Sequence, residues 1–171
     1  LKLSLLEGQN PSGETAKVAF PYFGGIEHEH FPNNAKGAAA NNVLVRTVPV
    51  QRLALGKDGK ATLVATVFDL QVANYDVARG LPGELAAKDF DDDTPYTPAW
   101  QERITGTPRE QLITVARQFA DNADKTHGRS MVIIGAAMNH WYHSDMNYRG
   151  VINLLMLCGC IGQSGGGWAH Y

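Results

Sequence analysis

Cysteine is scarce in this chain: two in 171 residues, Cys158 and Cys160, as a C-x-C pair. So close a pair cannot build a disulfide framework, and reduced thiols in a cytosolic setting are expected. An iron-sulfur cluster takes four ligands as a rule, which two thiols cannot supply. At the end of an apolar helix the pair reads as small buried hydrophobes. An excess of one charge is also missing. Fifteen Lys and Arg against 17 Asp and Glu leave a formal net charge of -2, with no basic surplus to draw nucleic acid or an anionic membrane surface. Long apolar runs are absent: Val151 to Ile161 is broken by Asn153 and Gly159 and falls short of the roughly 20 residues of a bilayer span. A buried helix is expected there, with no direct membrane insertion. No basic segment followed by an apolar one opens the chain to signal export. The glycine loop "GQSGGG", starting at Gly162, lacks the Lys-Ser/Thr of a Walker loop and the strand-to-helix setting of a dinucleotide fingerprint.

What is present suffices for one ordinary domain core, at 44% hydrophobic residues. The start at Leu1 and the end just after a glycine loop, with no further element expected, read as a piece of something larger. Two portions are expected, residues 1–95 and 96–171, parted at the acidic stretch "KDFDDDTPYTP". In the first, "NVLVRTVPVQRLAL" and "KATLVATVFDL" are β-branched runs on either side of "GKDG", the pattern of a hairpin. The opening third, with "GQNPSGE", "PYFGG" and "AKGAAANN", reads as loop with short strands. A short helix is predicted in "LQVANYDVARG", ending at Gly80. The triplet Asp91, Asp92 and Asp93 lacks the alternate spacing of a calcium loop and is expected to be solvated linker. His28 and His30 of "EHEHF" read as polar loop.

The second portion is more sharply marked. In "TPAWQERITG", Thr97 is the expected N-cap, Pro98 the first helical residue and Gly106 the stop. "TPREQLITVARQFADNA" repeats the device with Thr107, Pro108 and a capping-box Glu110, and puts Leu112, Ala116, Phe119 and Ala123 on one core-facing stripe. "SMVIIG" reads as a strand covered on both faces. A second helix is predicted from about Met146 to Cys158, capped by Ser144 or Asp145 and ended by Gly159. Helix, buried strand, loop and buried helix in this order predict part of a doubly wound, mainly parallel α/β sheet. Ligands of such sheets meet the carboxyl ends of the strands, which selects the loop after Gly135 with Asn139, His140, Trp141 and His143.

The chemistry of that loop stays open on spacing alone. His140 and His143 form H-x-x-H without a third ligand at recognisable spacing, so a zinc site, backbone-bonded imidazoles and a ligand-facing role all compete. Gly162, Gly165, Gly166 and Gly167 let backbone N–H groups approach a phosphate or a flat ring, and a plain turn explains them equally.

"YTPAWQERITGTPREQLITVARQFA" and "GAAMNHWYHSDMNYRGVINLLMLCGCIGQSGGGWAHY" resemble the molybdopterin oxidoreductase family. Its pattern sets a Thr-Gly-led helix before a strand, an Asn-His loop, an Asn-Leu helix and an Ile-Gly-x-x-Gly-Gly loop. Within the family, "NHWYHSDMNYRG" with "CGCIGQSGGGWAHY" is similar to the branch that reduces nitrate in respiration. The resemblance implies molybdenum held by two molybdopterin guanine dinucleotides, a 4Fe-4S cluster in the intact subunit, and two-electron oxygen-atom transfer from nitrate. It further implies electrons from quinol through an iron-sulfur β subunit and a haem-containing membrane γ subunit, at the cytoplasmic face of the membrane. His140 is then the candidate catalytic group. Gly135, Asn139, Trp141, His143, Gly162, Gly165, Gly166 and Gly167 are the candidate cofactor contacts, and no residue is assigned to the metal. The family's N-terminal cluster ligands and its carboxylate metal ligand have no match here. The chain is therefore expected to be a fragment of a larger multidomain subunit, inactive and without cofactor by itself. Two rival readings are another molybdopterin enzyme acting on selenate, chlorate or an organic substrate, and a self-contained metal- or nucleotide-binding module.

Overall fold

The computed structural model describes residues 3–6, 13–21, 43–55 and 58–171. His28 and His30, most of the glycine- and asparagine-rich opening third, and Gly56 and Lys57 of the hairpin turn lie outside them. The chain divides into two compact units, Leu1–Arg109 and Glu110–Tyr171. That division falls later than residue 95. The acidic stretch bonds forward: Arg103 pairs with Asp93 at 3.0 Å, Arg109 with Asp91 at 2.7 Å, and the Ala99 N–H donates to the Phe90 carbonyl. Asp91 and Asp93 are solvent-exposed, as expected, but they are paired rather than loose, and the Asp92 carboxylate also accepts from the Lys88 N–H.

In the first unit, strand β1 (Thr15–Pro21) pairs antiparallel with β2 (Val43–Pro49), in register from Thr15 opposite Pro49 to Pro21 opposite Val43. The expected hairpin is β3 (Gln51–Ala54) on β4 (Ala61–Val64), while the longer run before it is spent on β1. Helix α1 (Val67–Asn74) starts earlier than predicted because Thr66 caps it, accepting from the Asp69 N–H at 3.0 Å. It ends at Asn74, well before Gly80, where Tyr75 closes the last turn and Asp76 turns left-handed at φ 63°.

Asp69 is the centre of this unit. Its carboxylate is fully buried and accepts from the Ser4 hydroxyl (2.6 Å), the Leu5 N–H (2.9 Å), the Thr66 hydroxyl (2.8 Å) and Arg79 Nη1 (2.7 Å). Helix α2 (Pro98–Thr105) has the expected frame, with Thr97 as N-cap, Pro98 at its start and Gly106 left-handed at φ 74°. The buried Thr97 hydroxyl accepts from the Trp100 N–H at 3.2 Å and approaches the Asp92 and Thr94 carbonyls at 2.6 and 2.9 Å. Thr97→Ala removes the cap of α2 and the hydroxyl donor to the part-buried Asp92 carbonyl, so about 1–2 kcal/mol of stability should be lost. Urea unfolding with an unshifted midpoint would contradict this.

Helix α3 (Arg109–Lys125) begins at the last residue of the first unit and otherwise belongs to the second, which also holds strand β5 (Met131–Ile134), a one-turn helix α4 (Ala136–Asn139), helix α5 (Ser144–Leu157) and strand β6 (Gly167–His170). β6 corrects the expectation that no element follows the glycine loop: it pairs parallel with β5, Met131 opposite Gly167 and Ile134 opposite His170, making β5-α5-β6 a β-α-β unit. The core gathers Ala123, Leu155 and Cys160 with Phe119, Val132, Val151 and Trp168. β5 is covered on one face only: Val132 and Ile134 point inward, while Met131 is 46% and Ile133 78% exposed. The α3 stripe is likewise core only near its end, at Phe119 and Ala123, with Leu112 and Ala116 exposed. The described residues form a mixed α/β arrangement of three two-stranded sheets and helices. No helix among them is long and apolar enough to cross a membrane.

Candidate functional site

The carboxyl ends of β5 and β6 lie side by side because the strands are parallel. Beyond Ile134 the chain passes through Gly135, which precedes the single turn of α4, and Asn139 and His140 end that turn. Asn139 is half-buried. Its amide Nδ2 donates to the Tyr171 carbonyl at 3.0 Å, and its Oδ1 is shut off from water with no hydrogen-bond partner among the described residues. A buried amide oxygen without a donor is costly, which marks Asn139 as the end of the loop with binding capacity left over. His140 is exposed, Trp141 is 63% exposed and Tyr142 89%. His143 is the N-cap of α5, in place of the expected Ser144 or Asp145. It holds the left-handed conformation at φ 60° without a side-chain cap bond, and its ring meets Tyr142 edge-on at 4.2 Å. His143 thus turns the chain from loop into helix.

The structure brings Gly135, Asn139, His140 and Trp141 to one edge and keeps the glycine loop from it. Gly162, Gly165 and Gly166 precede β6 and Gly167 begins it, at the opposite, amino edge of the strand pair. There the glycines have reasons internal to the fold. A Cβ on Gly166 would collide with the Gly128 carbonyl oxygen and sit 2.8 Å from that of Cys160, while Gly162, Gly165 and Gly167 have φ of 78°, 86° and 90°. Cys158 and Cys160 close α5. The Cys160 N–H reaches back to the Leu155 carbonyl at 2.8 Å across the left-handed Gly159, the helix end predicted for this glycine. Burial, reinforced by Cys160, pushes the Cys158 thiol up, so it is a poor thiolate donor at neutral pH. No group of three or more His, Cys, Asp or Glu among the described residues is arranged to hold a metal ion.

Sequence reasoning missed the residues that back this edge. Tyr148 of α5 lies flat on Trp168 of β6, rings 4.9 Å apart and 7° from parallel, and its hydroxyl shares a 3.1 Å hydrogen bond with His170 Nε2. The signal was in "GWAHY": Trp168 and His170 alternate onto one face once 167–170 is recognised as a strand rather than loop.

The family model described as molybdopterin oxidoreductase matches residues 4–171. The chain is 58% identical over all 171 residues to respiratory nitrate reductase 1 alpha chain of Escherichia coli (strain K12), of which it covers 13%. Over 131 residues, 77% of this chain and 10% of the relative, it is 52% identical to nitrate reductase alpha chain of Bacillus subtilis (strain 168). Over 114 residues, 67% of this chain and 10% of the relative, it is 33% identical to perchlorate reductase subunit alpha of Dechloromonas aromatica (strain RCB). The chain therefore spans about an eighth of the length of the relative it matches from end to end. With a parallel β-α-β unit that presents an Asn-His-Trp loop at its carboxyl edge, and a family match running from residue 4 to the last, this chain belongs to the molybdopterin oxidoreductase family.

Proposed function

We propose that this chain is a section of the catalytic subunit of a respiratory nitrate reductase, and that the complete subunit converts nitrate to nitrite by two-electron oxygen-atom transfer. The observation that carries the reading is the end-to-end likeness to a nitrate reductase alpha chain, which includes the whole carboxyl-edge loop. The β5-α5-β6 unit is proposed to be part of a doubly wound, mainly parallel sheet that the rest of the subunit completes.

Molybdenum held by two molybdopterin guanine dinucleotides supplies the redox couple and the oxygen-atom chemistry when bound, and the proposal includes a 4Fe-4S cluster in the complete subunit. The residues present fit the organic periphery of such a group, not its metal. The water-excluded, unpartnered Asn139 Oδ1 accepts a hydrogen bond, and Trp141 offers a flat apolar face. Gly135 leaves open space beside the loop, with nothing within 4 Å of where a Cβ would sit. His143 fixes the angle at which the loop enters α5. Gly162, Gly165, Gly166 and Gly167 belong to a separate surface, which an extended dinucleotide can meet and a compact anion at the carboxyl edge cannot.

His140 is the proposed catalytic group. Nitrate is a planar anion with acceptor oxygens only, so an imidazole N–H both orients it and holds one of the two protons that its conversion to nitrite and water consumes. Electrons are proposed to come from quinol by way of an iron-sulfur β subunit and a haem-containing membrane γ subunit, with this subunit peripheral at the cytoplasmic face.

The test is His140→Ala in the complete subunit. The side chain is exposed, so folding and molybdenum content should hold while nitrate turnover falls by about 10²-fold or more, as loss of a positioned proton donor predicts. Unchanged turnover at normal molybdenum content would remove His140 from the site. A panel of nitrate, chlorate, selenate and an organic N-oxide on the same enzyme separates this reading from other members of the family.

A further inference from the structure

We propose that Tyr148 and His170 are a positioning pair for the candidate site, acting through the end of β6 and Asn139 on the loop that carries His140. The inference rests on the function proposed above and adds residues which that reading does not use.

His140 and Trp141 have no side-chain hydrogen bond among the described residues, so their placement depends on how the loop is tied down. Its side-chain tie to the sheet is Asn139 Nδ2 to the Tyr171 carbonyl at 3.0 Å. Tyr171 is itself held by its N–H to the Ile134 carbonyl at 3.0 Å and by its neighbour His170, whose Nε2 meets the Tyr148 hydroxyl at 3.1 Å. Tyr148 is not free to swing, because its ring lies flat on Trp168. The connected order is α5, Tyr148, His170, the end of β6, Asn139, and then the loop with His140. The Tyr171 N–H on the Ile134 carbonyl carries the contact between the two strands one residue past the His170 pairing, so a shift of His170 is passed directly to the carbonyl that holds Asn139. An imidazole and a phenol are suited to this because each couples a flat packing face to a directional polar tip.

The experiment uses the complete, cofactor-loaded enzyme and compares Tyr148→Phe, His170→Ala, His170→Gln and His140→Ala. Tyr148→Phe keeps the ring on Trp168 and removes only the hydroxyl. His170→Gln keeps a hydrogen-bonding group near the Nε2 position, and His170→Ala does not. Tyr148→Phe and His170→Ala should each lower kcat for nitrate about fivefold, the factor carried by one neutral hydrogen bond, with KM within about twofold. Molybdenum content should be unchanged. Amide hydrogen exchange of residues 139–143, read by mass spectrometry, should quicken by about the same factor, and His170→Gln should restore both kcat and exchange. Unchanged exchange at 139–143 in Tyr148→Phe would overturn the proposal, as would His170→Gln behaving like His170→Ala. Loss of molybdenum in these variants would make the pair part of cofactor retention and would also overturn it. If His140→Ala leaves turnover intact, the site itself falls. If His140→Ala is impaired while Tyr148→Phe is not, only the pair falls.

Discussion

Asp69→Ala is expected to unfold the first unit or to cost it about 3–5 kcal/mol, the range for removing one partner of a buried charge pair. The carboxylate is wholly out of water and collects four donors: Ser4, Leu5, Thr66 and Arg79. These donors come from the start of the chain, the cap of α1 and the segment beyond its end, so one side chain ties three pieces that share no strand pairing. Without it, the Arg79 guanidinium keeps only its 3.4 Å approach to Ser4, and its Nη2 is already buried without a partner among the described residues. Asp69→Asn should be milder because it keeps the shape, yet it gains two N–H donors in a place built of donors. Urea unfolding of both variants measures the difference, and equal stability of Asp69→Ala and the parent would refute the account.

The same site sets a pH dependence. Burial alone would raise the Asp69 pKa, but the hydrogen bonds from the Leu5 N–H, Ser4, Arg79 and Thr66 outweigh it and hold the carboxyl below its ordinary value. A pKa lower in the folded than in the unfolded state means that the unfolded chain binds the proton more readily. The stability that Asp69 contributes is therefore fully present above the unfolded value, about 3.9, and is lost as pH falls from there through the folded pKa. Acid unfolding of the parent should show this loss, and Asp69→Asn should flatten it.

Local devices were legible wherever a few neighbouring residues decide the outcome. Thr97, Pro98 and Gly106 frame α2 because a cap, a fixed φ and a left-handed stop each act within one turn. Gly159 ends α5 for the same reason. The β3-β4 hairpin was legible from two β-branched runs and the turn between them. Most of what failed depended on partners far along the chain. The 43–49 run pairs with β1, whose residues carry no signal for that choice. One local signal is weak as well: the start of α1 is fixed by the Thr66 cap on the Asp69 N–H, which lies ahead of the run from Leu70 that announces the helix. β5 was expected to be covered on both faces, since an apolar run does not say how many layers pack on it, and here one side is exposed. At the candidate site, the loop from Gly135 to His143 was placed correctly at a strand end. The glycine loop was read without β6, so its position at the opposite edge could not be seen. Tyr148 and His170 are illegible for the same reason: their meeting requires residues 167–170 to form a strand, and a glycine-led four-residue stretch reads as loop.

The second large effect tests whether that glycine loop is built for packing. Gly166→Ala should cost the second unit about 3 kcal/mol or more, at or beyond the upper end for overpacking a core, because the new methyl meets rigid backbone. The Gly128 carbonyl lies within the space the Cβ would fill, and the Cys160 carbonyl is 2.8 Å from it. Gly128 has no room to retreat: a Cβ there would strike the Gly159 carbonyl, and its N–H is bound to Ala123 at 2.7 Å. The turn after α3, the end of α5 and the start of β6 are thus stacked main chain on main chain, and Cys160 in the same stack belongs to the unit's core. Gly162→Ala is the control. Its φ of 78° imposes a left-handed strain of about 1 kcal/mol, but nothing lies within 4 Å of the new methyl. Urea unfolding followed by tryptophan fluorescence should therefore rank Gly166→Ala well below Gly162→Ala. The reverse order would mean that backbone conformation, not close approach, selects these glycines. Equal, negligible losses would leave packing unable to account for either of them and would strengthen the case for a bound group at the amino edge.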